Sequence, residues 1–226
     1  MAGVGQRFKE RFPTTLKPFI KVKERHLFEY ALQSINGLSS PELFFILKND
    51  DADTYESIIK FIIPAAHIIR ISKPTRGALE TCLIANEYLN PSKKLLILDS
   101  DLFFSSQSFL HFIENAREKD CGFPIFQSQL KRFSYCKEEN GRVSETAEKE
   151  VISNNAMIGA YFFGTAETFF HYGKNQLEKP LPIVGEYYIS PLYNQLIADG
   201  FNVHAFKTEK YFSLGTPEEV DAYLKN

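Results

Sequence analysis

Along the first hundred residues, short unbroken apolar runs alternate with stretches whose apolar positions fall three and four apart. The runs LFFILK at 43–48, HIIRI at 67–71 and KLLIL at 94–98 show no polar alternation, the pattern of strands buried on both faces as in a parallel sheet. Between them, His26 to Ile35 keeps a helical spacing and stops at Asn36-Gly37. From Gly77 onward, Leu79, Cys82 and Leu83, then Asn86 to Leu89 after a turn, keep it too. The second half reads as more antiparallel. Asn140-Gly141 separates the strand-like stretches 131–137 and 142–148, which predicts a hairpin with a type I′ turn. A further strand is expected from Met157 to Phe163. Ser190-Pro191 reads as N-cap and first position of a helix ending at Gly200. Thr216, with Glu219 three places on, reads as a capping box ahead of Val220, Tyr223 and Leu224.

Strand and helix in alternation, then a hairpin, then strand and helix again, predict an α/β three-layer sandwich with a mixed, mostly parallel sheet. The chain has 226 residues without repeat, low-complexity tract or Gly/Ser/Pro-rich linker, so a single domain over 1–226 is expected. Twenty-six Lys and Arg against 28 Asp and Glu leave a formal charge of −2, which argues against a nucleic-acid coat or a polybasic membrane surface. No apolar run approaches the roughly 20 residues of a membrane helix. Three Cys and no secretory apolar segment favour a reducing, cytoplasmic setting over a disulfide framework. The many Phe and Tyr read as core.

In an open α/β sheet, ligands bind beyond the carboxyl ends of strands, so residues just after the apolar runs carry the candidate chemistry. Gly3-x-Gly5 with Arg7, followed by Lys17-Pro18, would let backbone N–H groups approach a phosphate and would add two cations. Alone the G-x-G also fits an ordinary polar chain start; the downstream Lys-Pro makes it more specific. Asp99-Ser100-Asp101 follows KLLIL directly and precedes Leu102-Phe103-Phe104, so its carboxylates are better explained as oxygen ligands for a hard divalent cation than as solvated loop acids. Thr75-Arg76-Gly77 forms a strand-to-helix turn where a flat ring could lie on the backbone, although a helix start needing flexibility explains the glycine as well. Glu148-Lys149, Glu186 and Gly215-Thr216 are ordinary one by one. The five His lack metal-ligand spacing, no order of residues suggests a Ser nucleophile, and Cys82 falls on an apolar helix face.

Taken in order, MAGVGQRF, LKPFI, the Gly77-Ala78 helix start, ILDSD, AEK at 147–149, NAMIGAYFF and LGTPEEVDAYL resemble the nucleotidyltransferase family that makes nucleotide sugars. The likeness spans nearly the whole chain and is closest in length to compact members such as cytidylyltransferases acting on small phosphorylated molecules. It implies a Rossmann-related, glycosyltransferase-A-like fold and transfer of a nucleotidyl group from an NTP to a phosphorylated acceptor, with release of pyrophosphate. A pyrimidine NTP (CTP, UTP or dTTP), a sugar 1-phosphate or similar acceptor, and a place in surface-polysaccharide precursor synthesis follow from it. Carried over by position, Gly3, Gly5 and Arg7 would hold the triphosphate, and Lys17 would neutralise charge at the α-phosphate. Ala2, Thr75 and Gly77 would line the base and ribose pocket. Asp101, with Asp99 in support, would bind Mg²⁺, and Glu148, Lys149 and Glu186 would face the acceptor. No nucleic-acid or membrane partner is implied, and the assembly would be a monomer or homodimer.

The sequence departs from that pattern twice. Ser213 stands where the family often carries a second metal-binding Asp. Met1 abuts the Gly loop with no apolar strand in front, which leads us to expect such a strand upstream on a longer natural chain. Two other readings compete: a glycosyltransferase using a nucleotide sugar through Asp99-x-Asp101, and a binding module that kept the fold and lost the chemistry. Lys17 speaks against the former, which needs no triphosphate clamp.

Overall fold

The computed structural model describes Phe8, residues 10–181 and residues 185–225. Two compact units emerge: Met1–Pro74 with Asp99–Phe104 and Phe212–Asn226, and Thr75–Leu98 with Ser105–Tyr211. The strands Leu102–Ser105 and Lys210–Ser213 pair with each other.

In the first unit, Phe44–Lys48 and His67–Ile71 form a parallel pair joined by the helix Asn49–Ile62. Ala52, Tyr55 and Ile59, three and four apart, are buried on that helix and pack with Phe19, Phe28, Phe45 and Leu47. Phe19 stacks on Tyr55 with ring centroids 4.1 Å apart, and the Leu16 N–H donates to the Tyr55 hydroxyl at 2.9 Å. These contacts fix the short 3₁₀ turn Lys17–Phe19 on the helix. A second cluster gathers Phe8, Ile20, Leu27 and Tyr30 around Leu214 and Val220. It anchors the C-terminal helix Pro217–Leu224, whose Thr216 Oγ accepts from the Glu219 N–H at 3.3 Å, the Thr216 half of the capping box expected from sequence.

The second unit holds a seven-stranded sheet. Its strand order is Asn155–Met157, Ser134–Glu139, Arg142–Glu148, Asn202–Lys207, Asp120–Gln127, Ala160–Phe163, Leu95–Leu98. Phenylalanines fill its core: Phe109, Phe123, Phe162, Phe163 and Phe169 are wholly buried, and Tyr193 lies parallel to Phe163 at 5.3 Å. The Tyr193 hydroxyl donates to the carbonyls of Gly122 and Phe162, which lets a phenol sit among them. Burial pushes the Cys121 and Cys136 thiols up to about 12, consistent with inert core cysteines.

The mixed sheet is as expected, but its parallel weighting is corrected. Only Asp120–Gln127 with Asn202–Lys207 is parallel within the seven described strands, and Leu95–Leu98 runs antiparallel to Ala160–Phe163. An apolar run does not record the direction of the neighbour, and Leu95–Leu98 is only partly buried. The hairpin forms, with Asn140 and Gly141 at φ 52° and 79° as a type I′ turn requires. The single strand expected over Met157–Phe163 is broken in two. From Met157 to Phe162 the chain advances five residues while its partner moves three, from Ile125 to Gly122, so Ile158-Gly159 bulges out. Ser190 does not cap the next helix; Pro191 holds that place before Leu192–Ala198.

Candidate active site

In the first unit, Lys17 and Asp101, 84 residues apart, meet as an ion pair between Nζ and Oδ2. Lys17 is held by its buried neighbours Pro18 and Phe19, and its ammonium also lies 5.5 Å from the centre of the Phe8 ring. Asp101 is fixed through its backbone, whose carbonyl accepts from the Leu214 N–H at 2.8 Å. The two side chains are 20% and 27% exposed. A pair so open to water is worth about 1 kcal/mol or less. It is therefore a weak stabiliser, and both charges stay within reach of solvent. Asp99 lies exposed on the same turn.

The turn Ser213–Gly215 adds to this cluster. The Ser213 hydroxyl donates to Glu219 Oε2 at 2.8 Å. A Cβ on Gly215 would stand 3.1 Å from Glu219 Oε2, 3.3 Å from Ser213 Oγ and 3.5 Å from Asp101 Oδ2. The acid expected at position 213 is thus replaced by a serine bonded to an acid six residues on. Among the described residues, no group of three or more His, Cys, Asp or Glu side chains is placed to hold a metal.

In the second unit, one segment, 186–190, brings together residues expected to do separate jobs. Tyr187 pairs by backbone with the turn before Ala78–Leu83: its N–H donates to the Arg76 carbonyl at 2.8 Å and its carbonyl accepts from the Leu79 N–H at 3.0 Å. Gly77 is at φ 138°, and a Cβ there would come within 2.5 Å of the Tyr187 carbonyl oxygen. The glycine is therefore required by the approach of another backbone. We expect Gly77→Ala to cost roughly 1–3 kcal/mol, seen in a melting experiment as a fall in Tm of at least about 2 °C for a chain of this size. An unchanged Tm would contradict the packing. Thr75 Oγ is 2.6 Å from the Thr81 hydroxyl, which also donates to the Gly77 carbonyl at 3.0 Å.

Further along, Ser190 donates from Oγ to Glu148 Oε2 at 2.6 Å, and Ser134 donates to the same oxygen. Two hydroxyls thus set the orientation of the Glu148 carboxylate. Lys149, just past the strand end, is held at φ 56°, a left-handed backbone that costs a lysine about 1 kcal/mol or more. Its ammonium donates to the Tyr188 hydroxyl and lies 4.4 Å from that ring's centre. Glu186 lies near enough to act on Tyr188 electrostatically. Burial alone draws the Lys149 pKa down, but Tyr188, Glu148 and Glu186 outweigh it and the net shift is upward, so the ammonium stays charged at neutral pH. Burial raises the Tyr188 pKa, with Glu186 adding to it and Lys149 opposing, so the phenol stays protonated.

Lys17 is thus brought to Asp101, while Lys149 is bonded to Tyr188, Glu148 to Ser134 and Ser190, and Glu148 and Glu186 both act on Lys149 electrostatically. Ala2, Gly3, Gly5 and Arg7 lie outside the described residues. Sequence reasoning missed Tyr188 and Ser190 as partners of these groups. Nothing in the sequence marked them, since Tyr188 stands beside an identical Tyr187 and Ser190 reads as a helix cap.

The fold is that of the mixed α/β, Rossmann-like nucleotidyltransferases. The chain belongs to the nucleotidyl transferase family, whose model matches residues 1–212, and it is a nucleotidyltransferase enzyme. It is similar over 100% of its length, at 25% identity and TM-score 0.86, to 98% of a nucleoside-diphosphate-sugar pyrophosphorylase from Vibrio cholerae RC9. It is also similar over 100% of its length, at 14% identity and TM-score 0.76, to 94% of the inositol-1-phosphate CTP transferase from T. maritima. A UDP-glucose pyrophosphorylase complexed with UDP-glucose shares 16% identity and TM-score 0.76 over 99% of this chain and 96% of that one. These last two likenesses speak to the fold alone. No curated protein matches the chain by sequence. Among the described residues, no helix is long and apolar enough to cross a membrane.

Proposed function

We propose that this enzyme transfers the nucleotidyl group of a pyrimidine NTP (CTP, UTP or dTTP) to a sugar 1-phosphate or another phosphorylated small molecule. An acceptor phosphate oxygen bonds to the α-phosphorus, the bond from that phosphorus to the β-phosphate bridging oxygen breaks, and pyrophosphate leaves. The acceptor phosphate is already anionic at neutral pH, so the protein needs only to align the reactants and offset charge. The product would serve surface-polysaccharide precursor synthesis in the cytoplasm, the enzyme acting as a monomer or homodimer.

The observation that carries this reading is the meeting of Lys17 with Asp101, an ammonium and a carboxylate from distant segments held together near solvent. Lys17 would offset charge at the α-phosphate, with Gly3, Gly5 and Arg7 on the remaining phosphates. Asp101, supported by Asp99, would hold Mg²⁺. The oxygen donors around Gly215 fit such a hard cation. Bound there, it would supply charge neutralisation to the phosphates. Ala2, Thr75 and Gly77 would line the base and ribose, and Glu148, Lys149 and Glu186 the acceptor, with Lys149 on its phosphate. The test is to incubate the enzyme and Mg²⁺ with each of four NTPs and a panel of phosphorylated acceptors, measuring pyrophosphate. Pyrophosphate from a pyrimidine NTP, only with acceptor present, is expected. Release of a nucleoside diphosphate from a nucleotide sugar instead would favour a glycosyltransferase.

Tyr188 is a positioning residue in this scheme, since its hydroxyl fixes the Lys149 ammonium. Tyr188→Phe keeps the ring and removes that hydroxyl. A bond to a charged group is worth about 1.5–3 kcal/mol, so the acceptor KM should rise about tenfold or more, with kcat and the NTP KM little changed. An unchanged acceptor KM would remove Tyr188 from the site.

A further inference from the structure

We propose that Asn194 is a positioning residue of the acceptor site: its side-chain amide pairs with the backbone of Thr146 and so fixes where Glu148 presents its carboxylate. The inference rests on the reading of Glu148 as an acceptor group and adds the residue that sets it in place.

The strand Arg142–Glu148 is paired along its whole length on one side, from Arg142 opposite Glu139 to Glu148 opposite Ser134. On the other side its described strand pairing is a single step, Arg142 opposite His204. Past that step, backbone N–H and C=O groups turn toward an edge where they need partners. Asn194 supplies them at Thr146. The Thr146 N–H donates to Asn194 Oδ1 at 2.7 Å, and Asn194 Nδ2 donates to the Thr146 carbonyl at 2.8 Å. One primary amide thus makes both of the bonds that a facing residue exchanges in an antiparallel ladder. An ionised carboxylate in its place would lack the donor.

Asn194 is exposed, so two directed bonds, not burial, explain the amide. Its base is firm, because Leu192, Tyr193 and Leu196 of the helix Leu192–Ala198 are wholly buried. A second strut meets the strand at the same residue: the buried Thr146 hydroxyl donates to the Ser190 carbonyl at 2.8 Å. Ser190 then donates its own hydroxyl to Glu148 Oε2. Thr146 and Glu148, two apart on a strand, send their side chains to the same face. The helix therefore locks both the strand that carries Glu148 and the serine that orients it.

The experiment is steady-state kinetics of the full chain with Mg²⁺ and a pyrimidine NTP, the acceptor being the sugar 1-phosphate that releases most pyrophosphate in the panel above. The variants are Asn194→Ala, Asn194→Asp, Glu148→Ala, Asn194→Ala with Glu148→Ala, and Tyr172→Phe. The last is a control, since Tyr172 donates to Asp199 at the far end of the same helix. Circular dichroism checks that each is folded, and Asn194→Asp stands in if Asn194→Ala is not. Asn194→Ala should raise the acceptor KM about tenfold, with kcat and the NTP KM within about twofold. Asn194→Asp should raise it too, and Tyr172→Phe should leave it unchanged. Added to Glu148→Ala, the Asn194→Ala change should cost less than about twofold more, because the group it positions is gone. An acceptor KM raised by Glu148→Ala but unmoved in both Asn194 variants would overturn this inference and leave the Glu148 reading intact. So would effects of the two sites that add in full, or an equal rise in Tyr172→Phe. An acceptor KM unchanged in Glu148→Ala, or no pyrophosphate from wild type with any acceptor, would overturn both.

Discussion

Lys17→Ala is expected to lower kcat by about 10²–10³-fold while leaving the KM for NTP within a few-fold, the size of effect seen when one preorganised charge-stabilising donor is removed. As pyrophosphate departs, negative charge is redistributed over the α-phosphoryl and bridging oxygens, so a cation placed there gains more in the transition state than in the ground state. The structure supports that role through what holds Lys17. Pro18 and Phe19 bury themselves beside it, Phe19 stacks on Tyr55, and Asp101 takes its ammonium without enclosing it. The ion pair contributes about 1 kcal/mol or less to folding, so a large loss of rate cannot be attributed to unfolding. Steady-state kinetics with the NTP varied checks it. A rise in KM alone would make Lys17 a ground-state binding residue.

Asp101→Asn should remove most turnover, on the order of 10³-fold, with Tm falling by no more than about 2–4 °C, the equivalent of about 1 kcal/mol at this size. Asparagine keeps the shape, and the bond from the Leu214 N–H to the 101 carbonyl is a backbone bond that the change leaves in place. What is lost is a charge, at a side chain only partly buried. Activity within a few-fold of wild type, in a variant shown by melting to be folded, would remove Asp101 from the cation site.

Much of this architecture could be read from residue order. The runs at 44–48, 67–71 and 95–98 could be read as strands because they are short and mostly apolar, and Asn140-Gly141 closes its hairpin because both residues tolerate positive φ. Asp101 could be singled out because it follows the apolar run 94–98, and Lys17 because Lys17-Pro18 follows a Gly-x-Gly start. Direction of pairing was not legible, since Leu95–Leu98 would look the same beside a parallel or an antiparallel neighbour. Nor was the role of Ser190. Ser-Pro before a helical pattern is a strong start signal, and only the fold reveals that Glu148 lies within reach of that hydroxyl. The helix Asn49–Ile62 escaped notice because its first turns are acidic and its buried face is as thin as Ala52, Tyr55 and Ile59. Glu219 read as a capping residue, which its backbone is, while its carboxylate is turned toward Ser213.

The reaction itself leaves a chemical record. With an NTP labelled at the α-phosphorus and an unlabelled phosphorylated acceptor, the account predicts that the label moves into a nucleoside diphosphate joined to the acceptor, with one unlabelled pyrophosphate released for each molecule formed. Label found only in the starting NTP or in free nucleoside monophosphate, across pyrimidine nucleotides and a panel of sugar phosphates, would contradict it.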